Sequence, residues 1–369
     1  MTGIVIDRAL RAQCQTFLQG HGAVTPRIWM ERMLAMPEMD LPGDEYGAGP
    51  TVTALQDQVA GLLGKPAALF FHKAVVGQQA VLFAHRERTG RRLVAVHPQS
   101  HIAIDETDAV ERLSDIRLAR IGPDDAPFTL ADLQGIHEPL AAVVVELPLR
   151  NAGFRATSWT ELVAISQWCR DQGIAFHLDG ARLWETQPWY GRTLAEIAAL
   201  ADSVYVSLYK GLGAPGGAII AGPADLLAMA TPWRSRMGGN LYSAFPYILG
   251  GLDGLRRFLP RMADYHAHAM ALAAALDERD APRAADRVMC NSFRLVWPVD
   301  ASALADILAM TARTDRFWAF GRVVPLPVRD YCYTEMVVGE AAMLHAPSAL
   351  ADRFATWLAA ARAVSAKAG

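Results

Sequence analysis

A chain of 369 residues has room for two or three compact units, and a hydrophobic share of 52% with a charged share of 20% suits packed cores and excludes a disordered chain. The formal net charge of -3 gives no electrostatic footprint for nucleic acid or an anionic membrane. Cys14, Cys169, Cys290 and Cys332 are scattered without a C-x-x-C spacing, which points to reduced thiols and a cytoplasmic chain, with no disulfide framework and no metal site.

In chain order, MTGIVIDRALRAQ lacks a basic region followed by an apolar block, so no signal peptide is expected. No apolar run approaches the roughly 18 residues that span a bilayer. Residues 1–36 read as helix followed by irregular chain, and MPEMDLPGDEYGAGPT must be loop. Thr51 is a plausible N-cap for the helix TVTALQDQVAGLLG, in which Val52, Leu55, Val59, Leu62 and Leu63 share a face and Gly64 ends the last turn. AALFF is a strand, HKAVVG a turn and QQAVLFAHRER a helix. Strands and helices then alternate: RRLVAVH, the helical HIAIDETDAVERL, IRLARIG, a helix TLADLQGIH capped by Thr129, AAVVVELP, the helix TSWTELVAISQWCRDQG, then IAFHLDG, SVYVSLYK and GGAIIAG. Alternation with strands apolar on both faces predicts a mostly parallel sheet covered by helices on both sides.

Beyond about residue 225 the pattern changes. A long Ala-rich helix over 246–279 is expected to join two units. NSFRLVWPV, the helix ALADILAMTART, FWAFGRVV, TEMVVGE and a final helix then form a smaller α+β unit. The expected organisation is an N-terminal segment over 1–40, a large cofactor-binding domain over 41–245 and a linking helix with a small C-terminal domain over 246–369.

Chemistry concentrates between His177 and Gly217. Asp179 ends one apolar run and Arg182 follows it. Lys210 ends the next apolar run, and the Gly-rich GLGAPGG comes after it. GLGAPGG satisfies G-x-G-x-x-G literally, but a dinucleotide site needs a helix next, and GGAIIAG reads as a strand. Lys210 could be a solvated strand-end lysine, yet its apolar and Gly-rich flanks favour a desolvated amine with a lowered pKa. Asp179 could be a helix N-cap, and Arg182 a surface residue. Together they suit pyridoxal phosphate (PLP): a carboxylate for the pyridinium nitrogen, an amine for the aldehyde carbon and an arginine for a carboxylate.

HLDGARL followed at this spacing by LYKGLGAPGG closely resembles the PLP-dependent threonine aldolases of the β-eliminating lyase superfamily. GDEYGAGPTVTALQDQVAGLLGKPAALFF, SHI and TPWRSRMGGN agree in order, so the resemblance runs over most of residues 40–245. It implies an α/β fold: a fold-type-I PLP-dependent, aspartate-aminotransferase-like large domain with a mostly parallel sheet, plus a smaller α+β C-terminal domain. It also implies homodimers or homotetramers with interface active sites. By resemblance, Lys210 forms the Schiff base, Asp179 pairs with the pyridine nitrogen, and His101 stacks on the ring and helps move the substrate hydroxyl proton. Arg182 binds cofactor or substrate carboxylate, and Arg234 reaches a phosphate, that of a neighbouring subunit included. His137 matches a second family histidine if one gap is allowed, against a plain reading as a helix-end residue. Glu106 keeps the position of a family glutamate.

The departures are specific. Lys73, Ala74 and Val75 stand where the family has Ser/Thr-Gly-Thr in its phosphate cradle, so backbone N–H groups and the Lys73 charge must replace hydroxyls. His21 falls near the family's substrate-contacting serine. Met336 or Val337 stands where a family arginine clamps the substrate carboxylate. Tyr209 replaces the serine before the lysine, and LPLRN replaces an Asn-rich loop. The expected function is a PLP-dependent lyase that cleaves the Cα–Cβ bond of a β-hydroxy-α-amino acid to glycine and an aldehyde. The alternatives are β-elimination, racemisation or transamination of an amino acid, and a degenerate, non-catalytic PLP-fold protein.

Overall fold

Seven short strands pair into one sheet in the computed structural model, which describes residues 3–368. They are β1 (Ala67–Phe71), β2 (Leu93–Val96), β3 (Arg117–Arg120), β4 (Leu140–Glu146), β5 (Ala175–Gly180), β6 (Ser203–Ser207) and β7 (Ala218–Gly222). Every residue of β4, β6 and β7 is buried, as the lack of apolar–polar alternation in their sequences requires of strands covered on both faces. The spatial order is β1-β7-β6-β5-β4-β2-β3. Only β7 runs against its neighbours; the other pairings are parallel. The C-terminal ends of β2, β4, β5 and β6 therefore lie side by side at one edge, where ligands bind in sheets of this kind.

Helices cover the sheet. In α1 (Pro50–Leu63), Pro50 occupies the first turn and Gly49 the N-cap, so Thr51 is buried inside the helix and does not cap it as expected. Gly64 closes the helix at φ +59°. The next helix, α2 (Ala74–Thr89), lays Ala74, Ala80, Val81 and Ala84 on Phe71, Tyr205 and Ile220. Full burial of a Phe side chain such as Phe71 stabilises by about 1.5–3 kcal/mol.

Two expected helices are broken. HIAIDETDAVERL forms α3 (His101–Ile104) and a second turn over Ala109–Leu113, because Thr107 and Asp108 adopt φ +55° and +56°. The break turns Glu106 inward, where it is buried. The helix expected over 246–279 is interrupted at a 3-10 turn, Leu259–Arg261, whose central Pro260 has no N–H to continue the ladder. Phe245–Arg257 precedes it and Met262–Asp277 follows.

Residues 25–261 form one compact unit, and residues 1–24 with 262–369 the other. The boundaries expected from the sequence were 40/41 and 245/246, whereas the compact units divide at 24/25 and 261/262. The second unit has a five-stranded antiparallel sheet in the order Ile4–Val5, Arg322–Pro325, Cys332–Val337, Ser292–Trp297, Arg283–Ala284. Ile4 pairs with Val323, which ties the start of the chain to its C-terminal third. Long helices, Ala301–Thr314 and Pro347–Ala368 among them, make this unit α+β.

Candidate active site

Asp179 and Lys210 arrive at the same sheet edge by strand arithmetic. β5 and β6 are parallel neighbours in which Asp179 pairs with Tyr205, and Lys210 follows the end of β6. The Asp179 carboxylate is 2% exposed. Its Oδ2 accepts the Gln78 side-chain amide at 2.5 Å and its Oδ1 the Ala181 N–H at 3.1 Å. A carboxylate has about four acceptor positions, so capacity remains for another donor. Burial pushes its pKa up, while Lys210 and His101 pull it back. Burial, and then the Arg182 guanidinium, push the Lys210 amine below the usual lysine range, against the pull of Asp179, Glu146 and Glu185. An amine so held is a better nucleophile near neutral pH.

The glycine after the lysine is required by space. A Cβ on Gly211 would lie 2.5 Å from the Glu185 carboxyl, whose Oε1 accepts the Gly211 N–H at 2.8 Å. Glu185 is fully buried, and burial raises its pKa. Arg182 lies 3.7 Å from Glu185 Oε1 and stands over the Phe154 ring at 5.5 Å.

His101 opens α3, just beyond β2. Its N–H donates to Glu146 Oε2 at 2.7 Å, and its ring Nδ1 lies 3.0 Å from Glu106 Oε1. The Glu106 carboxylate raises the His101 pKa, against desolvation. This bond assigns the neutral ring as Nδ1–H, which leaves Nε2 as the basic nitrogen. Glu146 ends β4 beside Asp179, and burial, then the Asp179 charge, push it up to about 7.

These groups enclose a cavity of about 60 Å³ lined by His101, Glu146, Arg150, Ala181, Arg182 and Lys210. Lys73 is the N-cap residue of α2 with an exposed side chain, and Ala74 and Val75 follow as its first two residues. The 16-residue helix presents free N–H groups and the positive end of its dipole there. Nearby, Arg234 is buried. Its guanidinium donates to the Phe70 carbonyl at 3.1 Å, and its Nε has no hydrogen-bond partner among the described residues.

One expected residue stands at the opposite end of the sheet from this cavity. His137 is exposed and precedes Leu140, the first residue of β4, whereas the cavity lies beyond Glu146, its last. Strand rise puts those ends about 20 Å apart. His21 belongs to the smaller unit, its ring 6.1 Å from that of Tyr265.

Sequence reading missed Glu146, Arg150, Gln78 and His177. For His177 a signal existed: it lies two residues before Asp179 on a strand, hence on the same face. Arg150 was visible only as part of an altered loop. Glu146 read as the end of a strand, and nothing in its neighbourhood marked it as charged in a buried place.

The donor set suits PLP. It has an amine with a lowered pKa, a buried carboxylate with acceptor capacity to spare, an imidazole beside them, and a helix N-terminus with a buried arginine for a phosphate. The comparisons agree. Residues 25–294 match the family model for beta-eliminating lyases. The low specificity L-threonine aldolase of Escherichia coli (strain K12) is 29% identical over 277 residues, covering 69% of this chain and 77% of that protein. A crystal structure from Exiguobacterium sp. 255-15, assigned as an aromatic amino acid beta-eliminating lyase/threonine aldolase, superposes with a TM-score of 0.89 at 33% identity, over 96% of this chain and 99% of that one. One from Listeria monocytogenes EGD-E, assigned as an L-allo-threonine aldolase, gives 0.89 at 32% identity over 95% and 97%. With a family model matched over most of its length and the fold-type-I architecture in place, the chain belongs to the beta-eliminating lyase family.

Proposed function

We propose that this chain is a PLP-dependent aldehyde-lyase that cleaves the Cα–Cβ bond of a β-hydroxy-α-amino acid, threonine-like in form, to glycine and an aldehyde. The observation that carries this reading is that His101 and Lys210 line one cavity at the C-terminal edge of the sheet, with the buried Asp179 carboxylate near the end of the strand beside the one that leads to Lys210. When bound, PLP supplies an electrophilic aldehyde and a ring that accepts the electron pair left at Cα.

The chain's own residues do the rest. Lys210 offers a nucleophilic amine. Asp179 stays anionic to accept a hydrogen bond from the ring nitrogen. Lys73, the N–H groups of Ala74 and Val75, and Arg234 hold the phosphate. Arg182 and Arg150 receive the substrate carboxylate, replacing the clamp lost at Met336–Val337. Nε2 of His101 takes the proton from the β-hydroxyl as the Cα–Cβ bond breaks, and Nδ1–H passes part of the resulting charge to Glu106. Cα is protonated afterwards, so glycine and aldehyde balance the substrate.

Assembly into homodimers or homotetramers and a cytoplasmic location belong to the same reading, the latter supported by four free cysteines. The test is product analysis with β-hydroxy amino acids. Glycine with an equimolar aldehyde supports aldol cleavage, whereas a 2-oxo acid with ammonia supports elimination.

A further inference from the structure

A line of buried polar side chains runs back from Asp179, between α2 and the sheet. His85 Nε2 lies 2.9 Å from Ser203 Oγ, Ser203 Oγ 2.8 Å from His177 Nδ1, His177 Nε2 2.6 Å from Gln78 Oε1, and Gln78 Nε2 2.5 Å from Asp179 Oδ2. All five residues are at most 2% exposed. The arrangement follows from periodicity. Gln78 and His85 are seven apart on one helix face, His177 and Asp179 are two apart on one strand face, and Ser203 is the register partner of His177.

Once Asp179 is ionised, only one arrangement of protons satisfies the whole line. The carboxylate demands the NH2 of Gln78, which turns the Gln78 carbonyl to His177. His177 must then carry its proton on Nε2, and its bare Nδ1 accepts the Ser203 hydroxyl proton. The Ser203 oxygen in turn accepts from His85 Nε2–H. Burial holds both imidazoles neutral, His85 pushed down to about 4 and His177 to about 3, so neither adds a charge to the line.

We propose that Gln78, His177, Ser203 and His85 are positioning residues, a one-directional series of hydrogen-bond donors that keeps the Asp179 carboxylate ionised and oriented and so raises the basicity of the pyridine nitrogen paired with it. The inference rests on the PLP reading above. It adds that the protonation of the ring is controlled from the far end of the line, at a residue separated from Asp179 by three intervening side chains. Hydrogen-bond donors to a buried carboxylate are shorter and stronger than neutral pairs, and they polarise one another along a series.

Two measurements test it. The first needs no cofactor: nitrogen-15 NMR of the histidine-labelled protein reads the tautomers directly. His85 and His177 are expected as neutral Nε2–H forms from pH 8 down to about 5. A His177 that carries its proton on Nδ1 overturns the proposal. The second uses the protein loaded with nitrogen-15 PLP and follows the ring-nitrogen shift against pH. His85→Leu is expected to move ring deprotonation to lower pH by about one unit and to weaken PLP binding about tenfold. His85→Gln, which restores an N–H near the same place, is expected to recover most of both, and Gln78→Leu to exceed His85→Leu. A wild-type ring-nitrogen titration in a folded His85→Leu protein overturns the proposal, as does failure of His85→Gln to recover it. If wild-type protein binds no PLP at all, the functional reading fails, and the role assigned to this line at the ring fails with it.

Discussion

Burial acts in opposite directions on Asp179 and Lys210: it raises the acid and lowers the base, and each charge partly offsets the shift of the other. Replacing either should therefore separate binding from turnover. Lys210→Ala is expected to abolish the visible absorbance of bound PLP and all lyase activity. Asp179→Asn is expected to retain some PLP and to lose about two orders of magnitude in kcat, since a neutral amide cannot hold the ring nitrogen protonated. Near wild-type turnover would contradict that role. Arg150 lines the cavity beside Arg182 and is proposed to share the substrate carboxylate with it. Arg150→Met is expected to raise KM about tenfold or more with a smaller change in kcat, the loss of one charged hydrogen bond to a carboxylate. His101 acts as a base only when deprotonated, and the Glu106 carboxylate raises its pKa. The acidic limb of the kcat/KM profile should thus lie above the usual histidine value. In Glu106→Gln it should move to lower pH.

At the scale of elements, all seven strands of the large sheet were legible, the wholly buried ones most plainly, because strands covered on both faces read as largely apolar runs. So were Gly64 as a helix stop and Thr129 as an N-cap in a capping box with Asp132. What was not legible depended on tertiary context. The break at Thr107–Asp108 lacks Gly and Pro, so no residue there announces the positive φ that turns Glu106 toward His101. The donor line under α2 joins residues more than 100 positions apart in sequence. This line also makes the fold sensitive to acid. His85 and His177 are buried neutral with depressed pKa values, so their contribution is complete above the unfolded value of 6.5 and is lost as the pH falls toward 4 and 3. Each costs about 2–3 kcal/mol by pH 4.5. Glu146, raised to about 7, works the other way, because acid relieves its burial as the pH falls from 7 toward the ordinary carboxylate range. The difference between proteins isolates the histidine contribution. Thermal melting of His85→Gln should fall less between pH 7.5 and 4.5 than that of wild type, and an equal fall would contradict the assignment.

For the whole molecule, the described chain divides into two units, and the N-terminal stretch up to residue 24 belongs with residues 262–369. A two-residue strand, Ile4–Val5, is too short to be recognised from its residues, yet it pairs with Arg322–Val323 and carries the N-terminus into the C-terminal unit. Pro260, with no N–H to donate, marks in the sequence the place where the expected long helix breaks. On assembly, light scattering of the purified protein is expected to give at least twice the chain mass of 40.1 kDa. A fully active monomer would contradict the interface-site reading. The central claim is the reaction itself, and its most direct test is to incubate the PLP-loaded protein with L-threonine and L-allo-threonine and quantify all products. The account predicts glycine and acetaldehyde in equal amounts, absent in Lys210→Ala. Formation of 2-oxobutanoate and ammonia instead, or no turnover of any β-hydroxy amino acid despite bound PLP, would contradict it.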